Sequence, residues 1–266
     1  PKVAVLTSPS FGPAELARSL SGLGRRLVVA EDLGSPGERV VEGTAGEIAA
    51  GSWRDPNVVA VFDVSRAVGA AAARLWPGRQ SPELWGLPEE EFFHRGGMIT
   101  KAEVRALALA RLGPGVGDLI WDVGAGSGSV AVDCARHGAA AIAVEADGCA
   151  CRFIEANAAR HQVFVEVVHG EAPEALDPLP DPDAAFVGGT GGRFEEVVKT
   201  VASRVRRGAV VALAAVERVA QAAALLESGA LETEAVLVQA ARLKPLGHAH
   251  RLEPINPVFL VSGRRS

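Results

Sequence analysis

The chain has 266 residues, 27 Lys and Arg against 32 Asp and Glu, and a formal net charge of −5. With 48% hydrophobic and 22% charged residues it has enough apolar material for one large or two small cores, which excludes a disordered polymer. No apolar run approaches the roughly 18 residues of a membrane span, and no Lys/Arg run of nucleic-acid-binding type is present.

In chain order, residues 3–6 (VAVL), 27–30 (LVVA) and 57–62 (NVVAVF) read as strands. Pro13 opens a helix over residues 14–23, which Gly22 and Gly24 end; residues 34–37 (GSPG) are a turn, and residues 44–50 a second short helix. A helix is expected over residues 70–76, followed by Pro77, Gly78, Pro82 and Pro88. These features divide the chain into a small partial α/β domain over residues 1–65, a linker over 66–88 and a larger domain over 89–266.

The larger domain alternates its elements. A helix is expected over 101–112, with Thr100 as its N-cap and Glu103 completing a capping box. Strands follow at 119–123, 140–145, 165–169, 184–187 and 210–214, with helices at 129–137, 148–161, 194–205 and 218–228. Two more strands, 233–240 and 257–262, suggest an antiparallel edge hairpin. Such alternation predicts an α/β fold with a parallel, doubly wound sheet. The cysteines Cys134, Cys149 and Cys151 suit neither a disulfide framework nor a metal site, so no metal is expected. Thiols of that kind, with no visible signal peptide, lead to a cytoplasmic expectation.

The most informative segment is Asp122-Val-Gly124-Ala125-Gly126-Ser127-Gly128, between a strand and a helix. Three glycines there allow a ligand to lie against bare backbone at a helix N-terminus. The dinucleotide fingerprint G-x-G-x-x-G would place glycine at 129, where Ser129 stands. Glu145 ends the next strand, where a carboxylate accepts both hydroxyls of a ribose, and Glu171 follows the third strand, within reach of an adenine edge. Three spaced acids without the pyrophosphate glycine favour a cationic sulfonium nucleoside over a dinucleotide.

This set resembles the Rossmann-like, S-adenosyl-L-methionine-dependent methyltransferases. Further segments narrow the resemblance: Phe92-Phe-His-Arg95, Ile99-Thr-Lys-Ala-Glu-Val-Arg105, Gly170-Glu-Ala-Pro-Glu-Ala-Leu176, Phe186-Val-Gly-Gly-Thr-Gly-Gly192 and Asn256-Pro-Val-Phe259. Together they are similar to the C-terminal, decarboxylating module of the precorrin-6Y C5,15-methyltransferase family of cobalamin biosynthesis. In the first region, Val5-Leu-Thr7, residues 30–39 and Asn57-Val-Val59 resemble the second half of the tetrapyrrole methylase module that precedes it there. The resemblance implies that Pro1 is an internal residue of a longer bifunctional enzyme. It also implies that C5 methylation needs the missing first half, whereas C15 methylation with decarboxylation of the C12 acetate arm falls to the second region.

By the same resemblance, Thr100, the loop from Gly124 to Gly128, Glu145 and Ala172 match cofactor-contacting positions. Asp122 and Glu171 join them from the spacing argument. The substrate would be a polycarboxylate macrocycle, for which Gly188, Gly189, Thr190, Gly191 and Gly192 offer open backbone. Lys101, Arg105, Arg242 and Lys244 offer positive charge, Arg242 ranking first. The family's tendency to form homotetramers is carried over as an expectation; nucleic acid and membrane are not expected partners. The rival readings are a methyltransferase for RNA or protein, and a non-catalytic S-adenosylmethionine-binding scaffold.

Overall fold

Trp121 and Phe186 lie at the centre of the larger domain, on neighbouring parallel strands and facing opposite sides of one sheet. The computed structural model describes residues 2–63 and 85–265, and the chain divides into two units, Pro1–Ala67 and Val68–Ser266. The expected helix over residues 70–76 and most of the expected linker lie outside the described residues.

In the first unit, β1 (Lys2–Leu6), β2 (Arg25–Glu31), β3 (Arg39–Thr44) and β4 (Asn57–Asp63) form an antiparallel sheet in the order β1-β4-β2-β3. Helices α1 (Pro13–Ser19) and α2 (Ala45–Ala49) pack on one face over Leu27, Val29, Val59 and Val61. Thr44 and Glu47 make a reciprocal capping box that starts α2. Strand β3 was not expected from the sequence. It is an exposed edge strand, and exposure of that kind erases the alternation that marks a half-buried strand.

The second unit contains α3 (Ala102–Leu112), β5 (Leu119–Val123), α4 (Ser129–Arg136), β6 (Ala140–Glu145), α5 (Gly148–Arg160), β7 (Val165–His169) and β8 (Ala184–Val187). It continues with α6 (Phe194–Arg204), β9 (Gly208–Leu213), α7 (Glu217–Ser228), β10 (Glu232–Val238), β11 (Ala241–Leu246), β12 (Ala249–Pro254) and β13 (Val258–Arg264). The seven-stranded sheet has the order β10-β13-β9-β8-β5-β6-β7. The strands from β9 to β7 are parallel to one another, and β13 enters antiparallel between β9 and β10. Helices α3, α4 and α5 cover one face, α6 and α7 the other. Burial on both faces explains why β5 and β8 read as unbroken apolar runs apart from Asp122.

Two expectations need correction. The closing strands do pair, as β10 with β13, but they flank a separate hairpin, β11–β12, which turns at Gly247 in the left-handed region (φ +60°). Its strands are exposed on nearly every residue and each carries a proline, so they gave no strand signal. Thr100 is also not the cap of α3: the helix starts at Ala102, and no side chain of its N-cap residue, Lys101, bonds back to the helix. The Ala102 N–H instead donates to Glu89 Oε1 at 2.7 Å, from a 3-10 turn over Glu89–Glu91, while Glu103 is engaged by Arg242.

Candidate functional site

The glycine loop leaves β5 where its parallel neighbours β6 and β8 also end, at the carboxyl edge where doubly wound sheets bind ligands. Gly124 N–H donates to Val144 O at 2.9 Å, which carries the chain over the top of β6. Gly124 (φ +67°) and Gly128 (φ +72°) both lie in the left-handed region. A Cβ on Gly124 would overlap the Gly189 carbonyl, and one on Gly128 would stand 2.7 Å from Ile154. The loop is therefore glycine-built for backbone shape and close packing together.

Glu145 binds the loop from the end of β6. Its Oε2 accepts Gly126 N–H at 2.8 Å and its Oε1 accepts Asp147 N–H at 2.9 Å. Asp122 lies under the loop, wholly buried, with Oδ2 accepting Ala131 N–H at 2.9 Å and no partner for Oδ1 among the described residues. Burial raises its pKa from 3.8 to about 7, and the Glu145 charge adds to the rise against the pull of the Ala131 N–H.

The loops after β5, β6, β7 and β8 enclose a cleft of about 300 Å³. It gathers seven of the expected residues: Gly124, Glu145, Glu171, Ala172, Gly189, Thr190 and Gly191. Gly188 N–H donates to Val123 O at 2.9 Å, and Gly189 N–H to Gly124 O at 3.3 Å, so the 188–192 loop is seated on the glycine loop. Arg193 then fastens this wall to the opposite one, pairing with Glu174 in the segment after β7 and with Glu196. The volume lies at the small end of ligand pockets and suits a nucleoside. A cavity of about 330 Å³ at the other end of the sheet, beside Ala184 and Gly208, contains none of the expected residues.

The remaining residues lie off the cleft lining. Ala125, Gly126, Ser127, Gly128 and Gly192 belong to the loops that frame it, and Ser127 is buried. Thr100 and Lys101 precede α3, and both are half-buried. Two of the expected substrate cations are committed elsewhere. Arg105 is wholly buried: its Nε is 2.6 Å from Asp133 Oδ2 on α4, and its other nitrogens donate to the carbonyls of Thr100 and Leu87. It also lies over the Phe92 ring, 4.8 Å from its centroid, so no face of the guanidinium is left for a substrate. Arg242, on β11, spans two carboxylates, with Nη1 2.6 Å from Glu89 and Nη2 2.6 Å from Glu103. It ties the hairpin to the start of α3, whereas the half-buried Lys101 and the exposed Lys244 have no such bond among the described residues.

Sequence reasoning missed Glu89, Asp133 and Asn157, three buried polar residues that organise the approach to α3 and the loop. Their signal was present, since Asp133 and Asn157 interrupt otherwise apolar helix faces.

Comparison with known proteins places this architecture. A family model described as precorrin methyltransferase domain matches residues 91–265. The chain belongs to the precorrin methyltransferase family. A family relative from Sinorhizobium sp., named precorrin-6Y C(5,15)-methyltransferase (decarboxylating), is 36% identical over 263 residues, 97% of this chain and 61% of its own length. The chain thus spans less than two thirds of that relative. A Salmonella typhi relative, named cobalt-precorrin-6B C(15)-methyltransferase (decarboxylating), is 32% identical over 65% of this chain and 94% of its own length. Among solved structures, the precorrin-6Y C5,15-methyltransferase of Geobacter metallireducens GS-15 superposes with a TM-score of 0.64 at 32% identity, over 68% of this chain and 98% of its own. The mostly parallel sheet with its inserted antiparallel strand is the Rossmann-like methyltransferase fold of this family.

Proposed function

We propose that the second unit is an S-adenosylmethionine-dependent C-methyltransferase that methylates a precorrin macrocycle at C15 and removes carbon dioxide from its C12 acetate arm. One observation carries this reading: a nucleoside-sized cleft opens between the glycine loop, Glu145 and Glu171, all within the residues matched by the precorrin family. The Salmonella typhi relative, named for C(15) methylation with decarboxylation and covered over 94% of its length by 65% of this chain, supports assigning this chemistry to the unit that holds the family match.

Bound S-adenosylmethionine supplies a methyl group already activated by a positive sulfur. The chain's task is to hold and to aim. Bare backbone from Gly124 to Gly128 admits the ligand, and Glu145, with one backbone N–H on each oxygen, keeps lone pairs for ribose hydroxyls. Glu171 serves the adenine edge. The glycines of the 188–192 loop let a flat ring approach backbone, and Lys101 offers a cation to one of its carboxylates.

The attacking electron pair belongs to a macrocycle carbon, so alignment is the main protein contribution, about 7–11 kcal/mol in well-oriented reactions. In the decarboxylation the pair from the broken C–CO2 bond enters the conjugated ring, and a proton then restores the carbon. Calorimetric titration with S-adenosylhomocysteine tests the site. Saturable one-to-one binding that Glu145→Ala weakens is expected, and no binding would overturn the assignment.

A further inference from the structure

The segment from Gly86 to Lys101 carries Thr100 and Lys101 and has no strand or α-helix of its own. Polar ties to α3, α4 and α5 hold it. Arg105 takes the carbonyls of Leu87 and Thr100, and a ring nitrogen of His161 meets Glu91 O at 2.9 Å.

Asn157 makes a different tie. It is wholly buried on α5, beside Ile154 and Ala158 on the same apolar face. Its Oδ1 accepts Phe93 N–H at 2.7 Å, while Nδ2 donates to Phe93 O at 2.9 Å and to Ser127 O at 2.8 Å. One amide thus binds both backbone groups of Phe93 and a carbonyl inside the glycine loop. An N–H facing Oδ1 and two carbonyls facing Nδ2 leave only one orientation of the amide satisfied. A buried amide on an apolar helix face persists only with its partners in place. Here those partners belong to two segments that carry expected ligand-contacting residues. The Ser127 carbonyl fixes the peptide plane between Ser127 and Gly128, and Gly126 and Gly128 on either side both have positive φ.

We propose that Asn157 is a positioning residue for methyl transfer. It sets the glycine loop and the 86–101 segment in one register, so that the donor cleft and the Thr100–Lys101 side of the site are aligned together. This rests on the reading of the cleft as the S-adenosylmethionine site. It assigns Asn157 no contact with either ligand.

Three variants of the full chain test it. Asn157→Asp keeps the acceptor for Phe93 N–H but presents a second oxygen to the carbonyls of Phe93 and Ser127. Asn157→Ala removes all three bonds. His161→Ala removes the separate tie at Glu91 O and leaves all three Asn157 bonds, and so the shared register, in place. S-adenosylhomocysteine affinity is read by calorimetry, with the melting temperature of each variant alongside.

The expected result is an affinity loss of about tenfold or more in both Asn157 variants. His161→Ala stays within about twofold of the natural chain, even where its melting temperature falls as far. In turnover, Asn157→Asp raises KM for S-adenosylmethionine more than it lowers kcat. Where one Asn157 variant fails to fold, the other carries the comparison. If the natural chain does not bind, the site reading fails and takes the proposal with it. If it binds and the Asn157 variants bind equally well, or no worse than His161→Ala, Asn157 is a packing residue and the proposal is overturned.

Discussion

Gly124 and Gly189 meet backbone to backbone, Gly189 N–H donating to Gly124 O at 3.3 Å with no room for a Cβ on Gly124. Through this contact the loops after β5 and β8 form a continuous wall of the cleft. Gly124→Ala therefore loses on two counts, a left-handed φ and an overlap with the Gly189 carbonyl. A stability loss of about 2–4 kcal/mol is expected by denaturant unfolding, with S-adenosylhomocysteine affinity falling about a hundredfold or more. Unchanged affinity in a folded variant would show that the contact does not shape the site.

Glu145→Gln replaces one acceptor oxygen with an NH2 group, which must then face the N–H of either Gly126 or Asp147. Loop order and ribose binding suffer together. Affinity for S-adenosylhomocysteine should fall about tenfold or more while adenine alone is little affected. Equal losses for both ligands would remove the ribose role.

Asp122 makes stability depend on pH in a stated direction. Its folded pKa is raised to about 7 against 3.8. The unfolded chain therefore ionises it first, and the residue destabilises the fold increasingly as pH rises from about 4 to about 7, then by a constant amount. Asp122→Asn still accepts the Ala131 N–H and removes this dependence. Above pH 7 the variant should be more stable than the natural chain by on the order of 2–4 kcal/mol, converging with it near pH 4. Parallel stability curves for the two would show that Asp122 carries no such burden.

Arg242 holds Glu89 down to a pKa of about 2, chiefly through its hydrogen bonds, and lowers Glu103 in the same way. A depressed folded pKa gives stability that is present above the ordinary value of 4.5 and fades as pH falls from there toward 2. Arg242→Ala should cost about 1–3 kcal/mol at pH 7, since it leaves two carboxylates facing each other. The difference from the natural chain should shrink in acid as those carboxylates protonate. A pH-independent difference would point to lost packing in place of the ion pairs.

The sequence was most readable where the physics is local. Strands β5 and β8 announce themselves because burial on both faces demands unbroken apolar runs, and the glycine loop because a tight turn needs glycines at fixed spacing. Long-range pairing hid the rest. Thr100 and Glu103 have capping-box spacing, yet Glu89, thirteen residues before Ala102, takes the amide and Arg242 takes Glu103. Arg105 looked available because its partner Asp133 is on another helix, 28 residues away. The β11–β12 hairpin, with Leu243, Leu246 and Leu252 exposed, buries too little to leave a pattern.

The most direct measurement incubates the chain with purified precorrin-6B and S-adenosylmethionine labelled in its methyl group, following product mass, label position and released carbon dioxide. One methyl gained at C15 for each carbon dioxide lost is the expected result, both abolished together in Gly124→Ala. Label at another carbon, methylation without carbon dioxide release, or cofactor binding without turnover would contradict it.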